Sequence, residues 1–278
     1  MNINKRALLL IGSPRGESST STSLGDYLIS KLKEFGMTIE NGFIHRIVNR
    51  EEKINELFKM IDNADLIILS FPLYVDSLPA PVIKAMELIK EERDKLERKK
   101  TQNFIAICNN GFPEASQNMI ALRICRIFSN DCDFIWKGGI AVGGGGMING
   151  DPLKKTRANV KHIIKGLNIA ADALKDGKEI PQEAIDLISK KTVPYNLYRT
   201  FGNLGWRFQI KPILTVYLTI SGLILLILGI PIMIFEIIND DVLGTNLGIA
   251  FTIGGINLFL NGLIFMIQIK KRGTKIFS

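Results

Sequence analysis

Apolar and polar positions alternate in blocks over residues 6 to 174. Short unbroken apolar runs are followed by longer stretches in which apolar residues recur every three or four positions. Unbroken runs of four to eight residues suit strands buried on both faces, and recurrence at helical spacing suits amphipathic helices. Strands are therefore expected at Arg6–Gly12, Thr38–Ile47, Leu66–Phe71, Phe104–Cys108 and 134–142, the second being the weakest. Helices are expected at Ser23–Phe35, Glu51–Asp62, Ala80–Lys100, 114–129 and Lys154–Leu174. Leu24, Tyr27, Leu28 and Leu32 share one face of the first, and Val160, Ile163, Ile164, Leu167, Ala171 and Leu174 one face of the last. Five strands alternating with five helices predict an α/β fold: a doubly wound, five-stranded parallel sheet covered on both faces. Ligands of such sheets bind beyond the carboxyl ends of the strands. The loops after the first, third and fourth strands are the places to look for chemistry.

The alternation stops near residue 175. Residues 178–210 combine Pro181, Pro194, Gly202 and Gly205 with Tyr195, Tyr198, Phe201, Trp206 and Phe208, which reads as a linker turning into an interfacial segment. Residues 213–235 and 242–269 contain no charge. Each run exceeds the roughly 20 residues a helix needs to cross the hydrocarbon core. Three divisions follow: a domain over 1–177, the linker over 178–210, and two transmembrane helices with a basic tail over 211–278. Arg199, Arg207 and Lys211 precede the first run, and Lys270, Lys271, Arg272 and Lys275 follow the second, while the connection Glu236–Asp241 has no Lys or Arg. Positive charge at both ends predicts a cell-membrane protein whose N-terminal domain and C-terminus are cytoplasmic. Gly244, Gly248, Gly254 and Gly255 would let the two helices pack closely.

Charge and cysteine content narrow the classes. The net charge of +8 is split about evenly between residues 1–177 and 178–278. No basic stripe with interleaved aromatics occurs, so a nucleic-acid partner is not expected. Cys108, Cys125 and Cys132 are odd in number and form no CxxC, against a disulfide framework and against a metal site. His45 and His162 lack acidic or cysteine neighbours at ligand spacing and read as structural or surface residues. Cys108 reads as a buried strand cysteine, and the run Glu91–Lys100 as a solvated helix face.

The first strand–helix loop is Gly12-Ser-Pro-Arg-Gly-Glu-Ser-Ser-Thr-Ser-Thr-Ser23. Backbone amides at a helix start, with small hydroxyls, form a phosphate cradle, and Arg15 would add a charge-assisted bond. A solvated Ser/Thr-rich turn with an N-cap accounts for the loop equally well. It matches neither GxxxxGK[ST] nor GxGxxG. The third loop, Leu69-Ser-Phe-Pro-Leu-Tyr-Val-Asp-Ser-Leu-Pro-Ala-Pro-Val-Ile-Lys84, offers proline-fixed backbone and apolar surface; a plain strand-to-helix turn is the alternative. Gly143–Gly146 reads as a mobile loop more than as a place where a phosphate approaches.

Gly12, Ser13, Pro14, Arg15, Ser19 and Thr20, with Pro72, Tyr74, Ser77, Pro79, Ala80 and Lys84, resemble the NADPH-dependent FMN reductase and NAD(P)H:quinone oxidoreductase relatives of the flavodoxin-like superfamily. The resemblance spans about residues 5 to 175. It implies a flavodoxin-like fold, with FMN as cofactor and NADH or NADPH as electron donor. It implies a phosphate site at Ser13, Arg15, Ser19, Thr20 and Ser21, a ring site at Pro72, Leu73, Tyr74 and Val75, and a far ring edge at Asn109, Asn110 and Gly111. Hydride transfer to flavin requires no side-chain acid or base, so no catalytic residue is expected. The expected activity is a membrane-anchored FMN-dependent NAD(P)H oxidoreductase that reduces a quinone, a flavin or another acceptor, and the resemblance implies a homo-oligomer, since flavin sites in these relatives often form between subunits. A membrane-tethered electron carrier without a nicotinamide site and a flavin-free membrane scaffold are the alternatives.

Overall fold

The computed structural model of the protein describes residues 5–97, 100–156, 159–238 and 252–260. Five strands form one parallel sheet in the order β2-β1-β3-β4-β5: β1 Arg6–Ile11, β2 Thr38–Phe43, β3 Leu66–Pro72, β4 Asn103–Asn109 and β5 Ile135–Val142. This is the flavodoxin-like order, whose direction of winding reverses between β1 and β3. The helices are α1 Thr20–Glu34, α2 Ile44–Ile47, α3 Glu51–Asn63, α4 Ala80–Asp94, α5 Met119–Asp131, α6 Lys161–Lys175, α7 Gln182–Ile188 and α8 Tyr195–Ile238.

The unbroken apolar runs have the expected cause. Leu8 and Leu10 of β1, with Ile67, Leu69 and Phe71 of β3, are buried under α2, α3, α4 and α5. Ala7, Leu9 and Ile11, with Leu66 and Ile68, are buried on the other face under α1, α6 and α7. Side chains alternate across a strand, so a strand covered on both sides has no polar position to spare.

Several boundaries differ from those expected. The second strand ends at Phe43, and Ile44–Ile47 turn into α2 because the apolar Ile44 and Ile47 are then both buried under the sheet. The helix expected over Ala80–Lys100 stops at Asp94. Its charged end is not wholly solvated: Arg93 is 2% exposed, its guanidinium donating to the Cys132 and Lys100 carbonyls and to Gln102 Oε1, and lying 4.2 Å from the centre of the Phe134 ring. The last expected helix begins at Lys161 rather than Lys154. Within the expected linker, α7 packs on α6 through Ala184 and Ile188.

The chain divides into two compact units, Met1–Tyr195 and Asn196–Ser278. Among the described residues, no helix is long and apolar enough to cross a membrane. The transmembrane pair expected from the sequence is therefore not found as such. The first expected span falls within α8, whose side chains are described only in part. Of the second, 242–251 and 261–269 lie outside the described residues. What is described is a helical stretch at 252–260 in backbone contact with α8. A Cβ on Gly222 would stand 2.5 Å from the Phe259 amide nitrogen, and one on Gly255 2.9 Å from the Gly222 carbonyl. The outer positions of α8, among them Tyr217, Ile220, Ile227, Phe235 and Ile238, are exposed and apolar.

Candidate functional site

The carboxyl ends of β1, β3, β4 and β5 carry loops that are tied together. After β1, the Gly12 amide donates to the Ser70 carbonyl at 2.8 Å, and a Cβ at Gly12 would lie 2.4 Å from Val82 Cγ2. Only glycine lets the chain turn this close to β3 and α4. Ser13 is buried, and its hydroxyl accepts from the Arg15 amide. Gly16, at φ +56°, sends the chain into a short 3-10 turn. Ser19 then caps α1: its Oγ accepts from the Thr22 amide at 3.1 Å, and the Thr22 hydroxyl donates to the Gly16 carbonyl at 2.8 Å. The first backbone amides of α1 have no intrahelical acceptor, and the helix dipole adds partial positive charge there. A helix start of this kind suits an anion.

The serine and threonine hydroxyls behave differently from expectation. Thr20 Oγ1 donates to the Gly145 carbonyl at 2.8 Å, and Ser21 Oγ accepts from Asn109 Nδ2 at 2.8 Å. Both residues are buried, as is Ser19. The Thr20 and Ser21 hydroxyls bind the start of α1 to the glycine run after β5 and to the end of β4, while that of Ser19 bonds locally to Thr22. Arg15 is exposed and reaches Asn149 Oδ1 at 3.3 Å.

Asn109 joins three loops. Its amide donates both to Ser21 Oγ and to the Phe71 carbonyl, while its own carbonyl accepts from the Leu73 amide at 2.8 Å. Pro72 ends β3, and Tyr74 and Ser77 then exchange two backbone hydrogen bonds of 3.0 Å across a tight turn. The turn residues Val75 and Asp76 have φ of 48° and 58°, a pair of left-handed conformations typical of mirror-image hairpin turns. A β-branched residue there is an outlier. Val75 is 99% exposed, so no packing compensates for it. Asn110 is buried. Its Nδ2 donates to the Glu114 carbonyl, but Oδ1 has no hydrogen-bond partner. Gly111 and Phe112 are exposed at the same rim.

The glycine run after β5 completes the cluster. Its Gly144 and Gly145 amides donate to the Phe112 and Asn110 carbonyls at 2.6 and 2.7 Å. A Cβ on Gly145 would stand 2.9 Å from Asn109 Oδ1, and one on Gly150 (φ +81°) 2.4 Å from the Ser18 carbonyl. Residues 143–151 are thus a strap against the start of α1, which a reading of the run as a mobile loop missed. The signal was present: glycine four times after a strand also marks close backbone approach. Ser70, whose hydroxyl donates to the Ser21 carbonyl, was missed as well, because a buried serine within a strand has no sequence signature.

The residues fit a planar cofactor bearing a phosphate through three features: the α1 amides with Arg15, the exposed Tyr74–Val75 surface, and the unpaired acceptor Asn110 Oδ1. The cysteines do not add a reactive centre. Burial pushes the thiols of Cys108 and Cys125 far up and that of Cys132 to about 12, so all three are inert as nucleophiles at neutral pH. No group of three or more possible metal ligands occurs among the described residues.

Residues 6–119 match the family of NADPH-dependent FMN reductases. The matched segment contains the loops after β1, β3 and β4. Similar solved structures include an FMN-dependent NADH-azoreductase from Bacillus anthracis in complex with FMN (13% identity, 62% of this chain and 100% of that chain, TM-score 0.46). An NAD(P)H:quinone oxidoreductase from Methanothermobacter marburgensis is similar at 15% identity, over 62% of this chain and 98% of that one, with TM-score 0.46. No curated protein matches the sequence.

Proposed function

We propose that the protein is an FMN-dependent NAD(P)H oxidoreductase whose C-terminal unit associates with a membrane. The observation that carries the redox reading is Asn109: from the end of β4 its side chain ties the start of α1 to the end of β3, at the winding reversal of the sheet. The match over residues 6–119 covers those same loops. In this reading the α1 amides, Ser13 and Arg15 hold the phosphate, with Ser19, Thr20 and Ser21 keeping the cradle in shape. Pro72, Leu73, Tyr74 and Val75 flank the ring, and Asn109, Asn110 and Gly111 border its other edge. Bound FMN supplies the chemistry of accepting hydride from a nicotinamide and passing electrons to an acceptor. The chain's residues position it and exclude water, and Asn110 Oδ1 offers a buried acceptor to a ring or ribityl donor.

The acceptor class is a quinone, a flavin or a membrane redox partner. Support for the membrane reading comes from the uncharged run 213–235, the exposed apolar side chains of α8 and the basic residues on either side of the C-terminal runs. That charge pattern favours the cytoplasmic face. Exposed Phe112, Met119 and Ile120 beside the fourth loop favour coverage by a second copy of the chain.

A second reading, a flavin-free domain, has one observation in its favour: the Ser19, Thr20 and Ser21 hydroxyls are already satisfied within the chain. One experiment separates the two. The full chain is purified in detergent, mixed with FMN, freed of excess and examined by visible absorption. Retained flavin bands that bleach anaerobically on adding NADH or NADPH support the oxidoreductase. Flavin that stays oxidised supports a carrier without a nicotinamide site, and a folded, colourless protein supports the flavin-free domain.

A further inference from the structure

The segment that leads from α7 into α8 returns to the candidate site. It starts from a tight seat. A Cβ on Gly166 of α6 would stand 2.4 Å from Ile188 Cγ1 and 2.8 Å from the Ala184 carbonyl, so α7 lies directly on α6. His162 of α6 then holds the chain beyond α7: its Nε2 meets the Lys190 carbonyl at 3.1 Å. A carbonyl only accepts, so the ring nitrogen is the donor. The next two residues reach the loops of the site. Lys191 Nζ lies 3.6 Å from Glu114 Oε1, in the loop after β4. Thr192 Oγ1 donates to the Gly143 carbonyl at 3.2 Å, at the start of the glycine strap. A Cβ on Gly144 would meet the Thr192 side chain at 3.3 Å. Val193 is buried, and α8 begins at Tyr195.

Both contacts end beside Asn110. Its Nδ2 donates to the Glu114 carbonyl, and its own carbonyl accepts from the Gly145 amide of the strap. The strap is pressed against the same loop, since a Cβ on Gly143 would lie 2.4 Å from the Pro113 carbonyl. The Glu114 carbonyl requires a donor, which turns the amide nitrogen of Asn110 toward it and leaves Oδ1 facing away, buried and without a partner. Lys191 therefore acts on the residue that orients the Asn110 side chain, and Thr192 on the strap that fixes its backbone. A segment that only fastened α7 would need neither bond, because the Gly166 seat already does so. Residues 190–193 also lie outside the family match over 6–119, so the match does not carry this arrangement.

We propose that Lys191 and Thr192 are positioning residues of the flavin site: through Glu114 and Gly143 they keep Asn110 Oδ1 ready for a donor on the cofactor, and they link the order of the segment entering α8 to occupancy of the site. The role rests on the FMN reading above. Such a link is reciprocal: if the clasp favours FMN, bound FMN favours the closed clasp by the same factor.

The test uses the full chain in detergent, with FMN as the ligand. By quenching of flavin fluorescence, Thr192→Val is expected to weaken FMN binding about fivefold, as suits one neutral hydrogen bond. Lys191→Gln, which opens a part-exposed ion pair, is expected to weaken it about threefold. Thr192→Ser keeps the hydroxyl and is expected to bind as the parent does. Saturating FMN is expected to slow tryptic cleavage after Lys190 and Lys191 about fivefold in the parent and not in Thr192→Val. Cleavage after Lys95, whose side chain is 70% exposed beyond α4, should not change. FMN binding that Thr192→Val leaves unmoved overturns the proposal. Equal weakening by Thr192→Val and Thr192→Ser overturns it too, because Thr192 then acts by packing alone, and so does protection that persists in Thr192→Val. If Thr192→Val does not fold, Lys191→Gln decides the question through FMN affinity and cleavage after Lys190. A parent chain that takes up no FMN overturns the oxidoreductase reading together with this role, whereas a flavin-loaded parent with unresponsive variants overturns the clasp alone.

Discussion

The two ends of the candidate flavin site are built on opposite physical plans. At the phosphate end, polar side chains are buried and bonded: Ser19, Thr20, Ser21 and Asn109 are all under 10% exposed, Ser19 bonded locally to Thr22 and the other three tied to distant parts of the chain. At the ring end, Tyr74 is 44% and Val75 99% exposed, and the turn holds two non-glycine residues in left-handed conformations. The first end gains its order from internal hydrogen bonds and resists change. The second keeps apolar surface and strain in the open, where only a ligand or a partner would relieve them. Local strain of this kind tends to persist where function requires it. The contrast means that a change at the first end damages fold and cofactor together, while a change at the second separates them.

The largest effect is expected from Asn109→Ala. It removes both donors of a buried amide and leaves Ser21 Oγ and the Phe71 carbonyl short of a partner. Leaving buried polar groups unpaired costs about 1–3 kcal/mol each, so a loss of ~3 kcal/mol of unfolding free energy is expected. Chemical denaturation of the flavin-free chain measures it. Flavin retention should fall in parallel. A variant that is as stable as the parent would show that Asn109 does not bind the loops together.

Gly150→Ala comes next. The added methyl meets the Ser18 carbonyl at 2.4 Å, and the φ of +81° is unfavourable to any side chain. Relief requires the strap to move off the start of α1. Overpacking and left-handed strain together set the expected cost at ~2 kcal/mol. The same variant sharpens the comparison through the Thr20–Gly145 bond. If lifting the strap frees the Thr20 hydroxyl for a phosphate, FMN affinity will fall less than stability does. Affinity and stability falling in step would mark the strap as part of the cradle.

Much of this arrangement was legible in residue order. The runs in β1 and β3 identify strands covered on both faces, since a period of two leaves no other place for Leu8, Leu9 and Leu10 to go. Their alternation with amphipathic stretches locates the first, third and fourth loops. Identity was less legible than position. The hydroxyls of Ser19, Thr20 and Ser21 were expected to face a phosphate, but pairing depends on which distant loop arrives: Gly145 is 125 positions from Thr20, and Asn109 is 88 from Ser21. Long-range contacts of that kind leave no local pattern. At the other extreme, the uncharged runs 213–235 and 242–269 are conspicuous in sequence, yet only part of their setting is described.

The smallest and most discriminating effect belongs to Val75→Gly. Elsewhere in a fold, replacing valine by glycine loses packing, but Val75 is 99% exposed and has none to lose. At φ 48° its side chain costs about 1–2 kcal/mol relative to a right-handed conformation. Glycine removes that cost and adds a loss of unfolded-chain freedom of roughly 0.5–1 kcal/mol. The net expectation is a stabilisation of ~0.5 kcal/mol, visible as a small rise in Tm. The Tyr74–Ser77 hydrogen bonds should survive, because the turn type is one that glycine prefers. Flavin affinity is expected to move the other way, by a few-fold, since a turn that is less fixed before binding must be ordered on binding. A rise in stability with weaker FMN retention would identify the valine as retained for the ligand against the interest of the fold. A fall in stability would show that Val75 is packed by something outside the described contacts, and the contrast between the two ends of the site would then be lost.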